Sequence, residues 1–64
     1  MTNSQAAEAF SIFAGYDGEG PVAVGSDEMF AGPDSSMVTP AHLARLKELG
    51  WRLDEESECF HAFV

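Results

Sequence analysis

The clearest alternation of apolar and polar residues lies in the segment MVTPAHLARLKELGW, residues 37–51. Leu43, Leu46 and Leu49 recur at every third position, with polar or small residues between them. This spacing places the three leucines on one face of a helix. The pattern therefore predicts an amphipathic helix in this segment.

Both ends of this helix are marked in the sequence. Thr39 suits the N-cap, and Pro40 suits the first helical position because its missing N–H would have no partner there. Gly50 can adopt the left-handed conformation after the last turn, and Trp51 can then pack back on Leu46. The predicted helix runs from Pro40 to just before Gly50.

The first segment, SQAAEAFSIFAGY, fits two patterns. A helix would align Ala6, Ala9, Phe10 and Phe13, whereas a strand would alternate Phe10, Ile12, Ala14 and Tyr16. Ser4 as a cap and Gly15 as a stop favour the helix. We expect a helix over about residues 4–14, with a strand as the alternative.

Each helix is followed by a stretch that predicts a β-hairpin. The first is PVAVGSDEMFAG, with a turn at residues 25–27, and the second is WRLDEESECFHAFV, with an acidic turn. The segment GPDSSM is rich in turn-forming residues, which predicts a connecting loop. The expected fold is α+β: a small antiparallel sheet of about four strands, covered by two helices, in a single domain of residues 1–64. The order suggests an αββ-αββ pseudo-repeat, and two unrelated hairpins fit it equally.

The charge of the chain restricts its partners. Eleven acidic residues against three basic ones give a formal net charge of −8. Such a field repels nucleic acid and anionic lipid, so we expect neither as a direct partner, and it attracts basic proteins. The opening residues, MTNSQAAEAF, have no signal-peptide pattern, which predicts a cytoplasmic protein.

Few residues offer catalytic or metal-binding chemistry. Cys59 is the only cysteine, so neither a disulfide nor a structural zinc site is expected. Cys59 and His61 would lie on one side of a strand, too far apart for a catalytic pair. We expect a small buried Cys59 beside a partly exposed His61. The sequence predicts no cofactor, no metal and no enzymatic activity.

The acidic turn is the strongest candidate for a binding surface. In an extended strand, Asp54, Glu56 and Glu58 would project on one side about 6.5–7 Å apart. Such a row could imitate the phosphates of DNA and occupy a basic groove of another protein. The predicted partner-binding residues are Asp54, Glu55, Glu56 and Glu58, with a second cluster of Asp27, Glu28 and Asp34.

A resemblance points in the same direction. The run DEMFAGP (residues 27–33), followed by LARLKELGW and DEESECFHAFV, resembles small acidic proteins of phages and mobile elements over about residues 20–64. The chain is also similar to phage anti-CRISPR inhibitors of type I systems, several of which mimic nucleic acid. The resemblance implies a Cas nucleoprotein subunit as the partner and the host cytoplasm as the location. It assigns no individual residue.

Two alternatives stay open. The protein could be a structural or regulatory interaction module, as a monomer or a weak homodimer, with contacts through exposed aromatic residues such as Tyr16, Phe30 or Phe63. Its binding would then tolerate salt. The acidic residues could also serve only solubility in a halophile.

Overall fold

The computed structural model describes residues 1–56 and 58–64, and in these residues it is an α+β fold, as predicted. In chain order the described elements are α1 (Asn3–Tyr16), β1 (Ala23–Val24), β2 (Glu28–Ala31), a 3-10 helix (Ser35–Met37), α2 (Pro40–Glu48), β3 (Arg52–Asp54) and β4 (Cys59–Phe63). The strands form one antiparallel sheet in the order β1-β2-β4-β3. The pseudo-repeat stays a prediction.

Helix α1 confirms the helical interpretation of the first segment, but both of its predicted ends are wrong. The N-cap is Thr2 rather than Ser4: the Gln5 N–H donates to Thr2 Oγ1 (3.1 Å), and the Thr2 N–H donates to Gln5 Oε1 (2.8 Å). This reciprocal capping box satisfies two backbone donors at once. At the other end the helix passes through Gly15 and ends at Tyr16.

Helix α2 has the ends that the sequence predicted. Thr39 is its N-cap, and Pro40 is its first residue. Gly50 has a φ of 95°, and the Trp51 N–H donates to the carbonyl of Leu46 at 2.9 Å. This is the Schellman ending, in which a left-handed residue lets the chain satisfy the last carbonyls of the helix.

Both predicted hairpins are present. Residues 25–27 connect β1 to β2, and the Gly25 N–H donates to the Glu28 carbonyl at 2.8 Å. The acidic turn connects β3 to β4, where the Glu58 N–H donates to the Asp54 carbonyl at 2.9 Å. The segment predicted as a plain loop contains the 3-10 helix, capped by Asp34.

The sheet has two different faces. On its helix-side face, Phe60 and Ala62 of β4 belong to the core, together with residues of both α-helices. The alternate residues of β4 (Cys59, His61 and Phe63) lie on the opposite face, called here the open face. The pairing register adds Glu28 and Phe30 of β2 and Arg52 and Asp54 of β3 to the open face.

Aromatic rings make up much of the core. Phe13 of α1 meets Trp51 edge to face, with ring centroids 5.1 Å apart, and its centroid lies 5.4 Å from that of Phe60. Gly32 passes close to these rings with a φ of +97°, and a Cβ placed there would lie 2.8 Å from Phe60 Cδ2. A side chain at this position would push the rings apart.

Candidate protein-binding site

The predicted row of carboxylates along an extended strand is wrong. Strand β3 ends at Asp54, so Glu55 and Glu56 lie in the turn, where side chains do not alternate as they do in a strand. Glu58 also precedes β4 and has a φ of 60°, in the left-handed region. A turn therefore displays these acids in place of a straight row.

The structure groups the acids differently from the sequence prediction. Asp34, which we had assigned to the second cluster, lies beside the acidic turn, because the Ser35 N–H donates to the Glu58 carbonyl at 3.2 Å. Four acidic residues line a shallow depression of about 420 Å³, called here the acidic depression: Asp34, Asp54, Glu55 and Glu58. Leu53, Ser35 and Ser36 complete its lining.

One feature of the acidic depression opposes folding. Glu58 holds a backbone conformation that L-residues rarely adopt, at a position where glycine would be unstrained. Its carboxyl group also comes close enough to Asp34 to affect that residue's pKa. The pKa of Asp34 is lowered mainly by the backbone N–H of Ser36, with the Ser36 hydroxyl next and Glu58 contributing least. The backbone strain at Glu58 is therefore a local cost, whereas hydrogen bonds favour the charged form of Asp34.

The second predicted cluster lies elsewhere. In the sheet register Glu28 stands opposite Phe63, whereas Asp54 stands opposite Cys59. These partners are four residues apart on β4, which is about 13 Å along a strand. Asp27 and Glu28 are therefore at the other end of the sheet from the acidic depression.

Glu28 takes part in a partly buried polar network on the open face. Its Oε2 lies 3.0 Å from Nε2 of His61, a residue that is only 7% exposed. Arg52 Nε donates to His61 Nδ1 at 3.2 Å. Because Nδ1 accepts, Nε2 is the nitrogen that donates to Glu28 when the imidazole is neutral. Both ring nitrogens of His61 are therefore satisfied.

The expectation of a buried Cys59 beside a partly exposed His61 is wrong. His61 is buried, and Cys59 is half-buried. His61 lies on a central strand, and its ring centroid is 4.8 Å from those of both Phe30 and Phe63. Those flanking rings exclude water from the histidine. The pattern of the strand showed which face His61 occupies, but it did not show what covers it.

Neither Arg45 nor Arg52 is among the described residues that line the acidic depression. Arg45 of α2 pairs with Glu8 of α1, with Nη2 donating to Oε1 at 2.8 Å, and its Nη1 lies 3.6 Å from Glu48. The hydrogen bond from Arg45 holds the pKa of Glu8 below its ordinary value. Arg52 places its guanidinium carbon 4.9 Å above the ring of Phe63.

Of the three aromatic residues predicted for an apolar contact, Tyr16 serves the fold. Its hydroxyl accepts from the Thr39 N–H at 3.1 Å and lies 2.6 Å from His42 Nδ1, which links the end of α1 to the start of α2. Phe30 is half-buried, and Phe63 is 55% exposed. Both rings lie on the open face.

Within residues 1–56 and 58–64, no group of three or more His, Cys, Asp or Glu side chains could hold a metal ion. Over the same residues, no helix is both long enough and apolar enough to cross a membrane. No known family model matches the chain, and no curated protein or solved structure matches it either.

Proposed function

We propose that this protein binds a basic nucleic-acid-binding groove of another protein and blocks it with the acidic depression. The observation that supports this proposal is the gathering of Asp34, Asp54, Glu55 and Glu58 at one end of the sheet, at a cost to local stability. Acids that served only as a soluble surface would gain nothing from being crowded onto a strained turn.

The charge distribution gives this end of the molecule a strong local field. Among the described residues that line the acidic depression, none is Lys or Arg. Carboxylates at several-ångström spacing offer a basic groove the same kind of ligand as a phosphate backbone. Long-range attraction speeds such an encounter, and salt weakens it.

The resemblance to anti-CRISPR proteins suggests the partner. We propose a subunit of a type I CRISPR effector that contacts target DNA through Lys and Arg side chains. The protein acts in the cytoplasm, without a cofactor and without chemistry of its own.

Charge reversal in the turn tests the proposal. A purified type I effector complex is mixed with fluorescent target duplex and increasing amounts of this protein, at low and at high salt. We expect the wild type to displace the duplex at low salt and the double variant Glu55→Lys/Glu58→Lys to lose this effect. The control, Glu19→Lys/Glu48→Lys, makes the same charge change at exposed positions outside the depression.

An equal loss of displacement in the two double variants would show that net charge, rather than the acidic depression, is responsible. Failure of the wild type to displace duplex would reject this effector as the partner. A pull-down from host lysate at low and high salt would then show whether any basic nucleoprotein is retained. Retention of none would overturn the proposed function.

The exposed ring of Phe63 favours one alternative, a homodimer formed through the open face. Such a contact is apolar and would persist at high salt. Sedimentation of the wild type and of Phe63→Ala over a range of concentrations distinguishes it from the proposal above.

A further inference from the structure

The open face contains a cleft with its own combination of acids and rings. The cleft has a volume of about 520 Å³. Its lining includes three carboxylates (Glu28, Asp54 and Glu56) and three aromatic rings (Phe30, His61 and Phe63). Arg52 is the one basic residue among the described residues that line it. Acid therefore exceeds base in the cleft, and the rings supply flat apolar surface.

The contacts of Arg52 show how a cation is held in the cleft. Its guanidinium carbon lies 4.9 Å above the ring of Phe63, and its Nε donates to His61. A guanidinium over an aromatic face is attracted by the ring quadrupole, and its planar shape permits stacking and hydrogen bonding together. The protein's own arginine therefore occupies a guanidinium site.

The parts of this site are held in place. His61 is buried between Phe30 and Phe63, and it bonds Glu28 through Nε2. The Glu28 carboxylate is consequently oriented before any ligand arrives. Preorganised groups lose little entropy on binding, which favours recognition by even a small cleft.

A second, more apolar depression continues from the cleft. It has a volume of about 620 Å³, and Phe30, Asp54 and Glu56 belong to both linings. Val22 and Ala23 add aliphatic surface on the far side of Phe30. In an extended segment, an arginine in the cleft would place an aliphatic side chain two residues away over this depression.

We propose that the open face binds an arginine side chain from an extended basic segment of a partner protein, with an aliphatic residue two positions away. The incoming guanidinium takes the place of Arg52 on the Phe63 ring and bonds the Glu28 carboxylate. Charge complementarity with a chain of net charge −8 identifies the occupant as basic. The identity of the partner rests on the proposed function, whereas the arginine site can be tested alone.

Blocked peptides provide the probe. The sequence Leu-Gly-Arg-Gly-Leu is compared with versions that carry lysine or citrulline in place of arginine, by NMR titration of the labelled protein. We expect saturable shifts at Phe63 and His61 with arginine, binding by lysine weaker by about 2- to 5-fold, and no binding by neutral citrulline. Equal binding of all three peptides would overturn the proposal.

Two variants of equal charge sharpen the test. Arg52→Ala removes the internal occupant and should tighten arginine-peptide binding by about 2- to 5-fold. Lys47→Ala changes the net charge equally from helix α2, outside the cleft, and should leave binding within error of the wild type. Equal tightening in both variants would mean that the peptide responds to net charge alone.

A substitution at Phe63 tests the contribution of its aromatic ring. Phe63→Leu keeps an apolar side chain but loses the aromatic face, so it should weaken binding by about 2- to 5-fold. Thermal unfolding checks that each variant is folded. If a variant does not fold, the comparison of the three peptides on the wild type still tests the proposal. Unchanged affinity in folded Phe63→Leu would remove the ring from the site.

The outcome separates this inference from the proposed function. Peptide shifts confined to Asp34, Glu55 and Glu58 would contradict the arginine site and leave the acidic depression as the contact. Normal peptide binding in the cleft, without retention of any basic nucleoprotein, would contradict the proposed function and keep the arginine site.

Discussion

The two faces of strand β4 use aromatic residues for different purposes. On the helix-side face Phe60 is 2% exposed and packs among rings from α1 and the segment after α2. On the open face Phe63 is 55% exposed, and among the described residues its ring contacts the polar side chains of His61 and Arg52. Residues three positions apart therefore differ in role: the first stabilises the fold, and the second remains accessible to a ligand.

Truncating each ring should give the largest contrast. Phe60→Ala should cost about 3–5 kcal/mol of unfolding free energy. That is comparable with the total for so small a chain, at about 0.05–0.15 kcal/mol per residue. Phe63→Ala should cost about 0.5 kcal/mol, as is typical of surface positions. Urea unfolding measures both, with Phe60→Leu as a milder variant that stays folded. Similar losses at the two positions would mean that the open face is also part of a core.

Gly32 tests how tightly the helix-side face is packed. Gly32→Ala should cost about 1–3 kcal/mol, because the new methyl group would overlap the rings of Phe60 and Phe13 and the φ of +97° disfavours it. Gly15→Ala is the matched control: it lies in a helix with open space around it, so it should gain about 0.5–1 kcal/mol. Chemical denaturation of both variants gives the comparison. A neutral Gly32→Ala would show that the rings can move aside.

In the acidic depression, the same substitution should raise stability and weaken binding. Glu58→Gly should raise the unfolding free energy by about 0.5–1 kcal/mol, because glycine tolerates the left-handed conformation. The same change should weaken binding to the basic effector. Glu55→Gly removes an equal charge at a residue without positive φ and should give no gain in stability. A destabilised Glu58→Gly variant would mean that the carboxylate supports the turn.

Lowering the pH should produce the smallest effect on stability. The Arg45 hydrogen bond lowers the pKa of Glu8 below its ordinary value of 4.5, and Ser36 lowers the pKa of Asp34 below 3.8. A carboxyl with a lowered folded-state pKa contributes stability above its ordinary pKa, and this is lost as pH falls through the folded-state value. Stability should therefore decline below about pH 4.5.

The variant Glu8→Gln should flatten that decline, because its side chain cannot ionise. Glu19→Gln makes the same chemical change away from Arg45 and should keep the wild-type slope. Urea midpoints recorded between about pH 6 and pH 3 measure the difference. The contribution is small because the Glu8–Arg45 pair is exposed to solvent.

Local signals in the sequence were sufficient for most of the secondary structure. The two ends of α2 depend on residues within one turn, namely Thr39 at the start and Gly50 with Trp51 at the end. The start of α1 also depends on residues within one turn, because Thr2 and Gln5 have the spacing of a capping box. The predicted cap, Ser4, lies inside the helix. Gly15 misled us because a glycine inside a helix costs only about 1 kcal/mol, which packing can offset.

The sites depended on contacts between segments. Asp34 joins Glu58, and Glu28 joins His61 and Arg52, only because the order β1-β2-β4-β3 brings distant parts of the chain together. Nothing in the sequence near His61 indicates that rings from two strands bury it.

The sequence by itself determined the net charge, the α2 helix with both of its ends and the two hairpins, and it favoured a helix over a strand in the first segment. These follow from composition and from interactions within a few residues. Only the tertiary structure decided which carboxylates meet, which histidine nitrogen accepts, and which phenylalanine is left exposed. The physical reason is that each of these depends on strand order and register, which are set by packing between segments far apart in the chain.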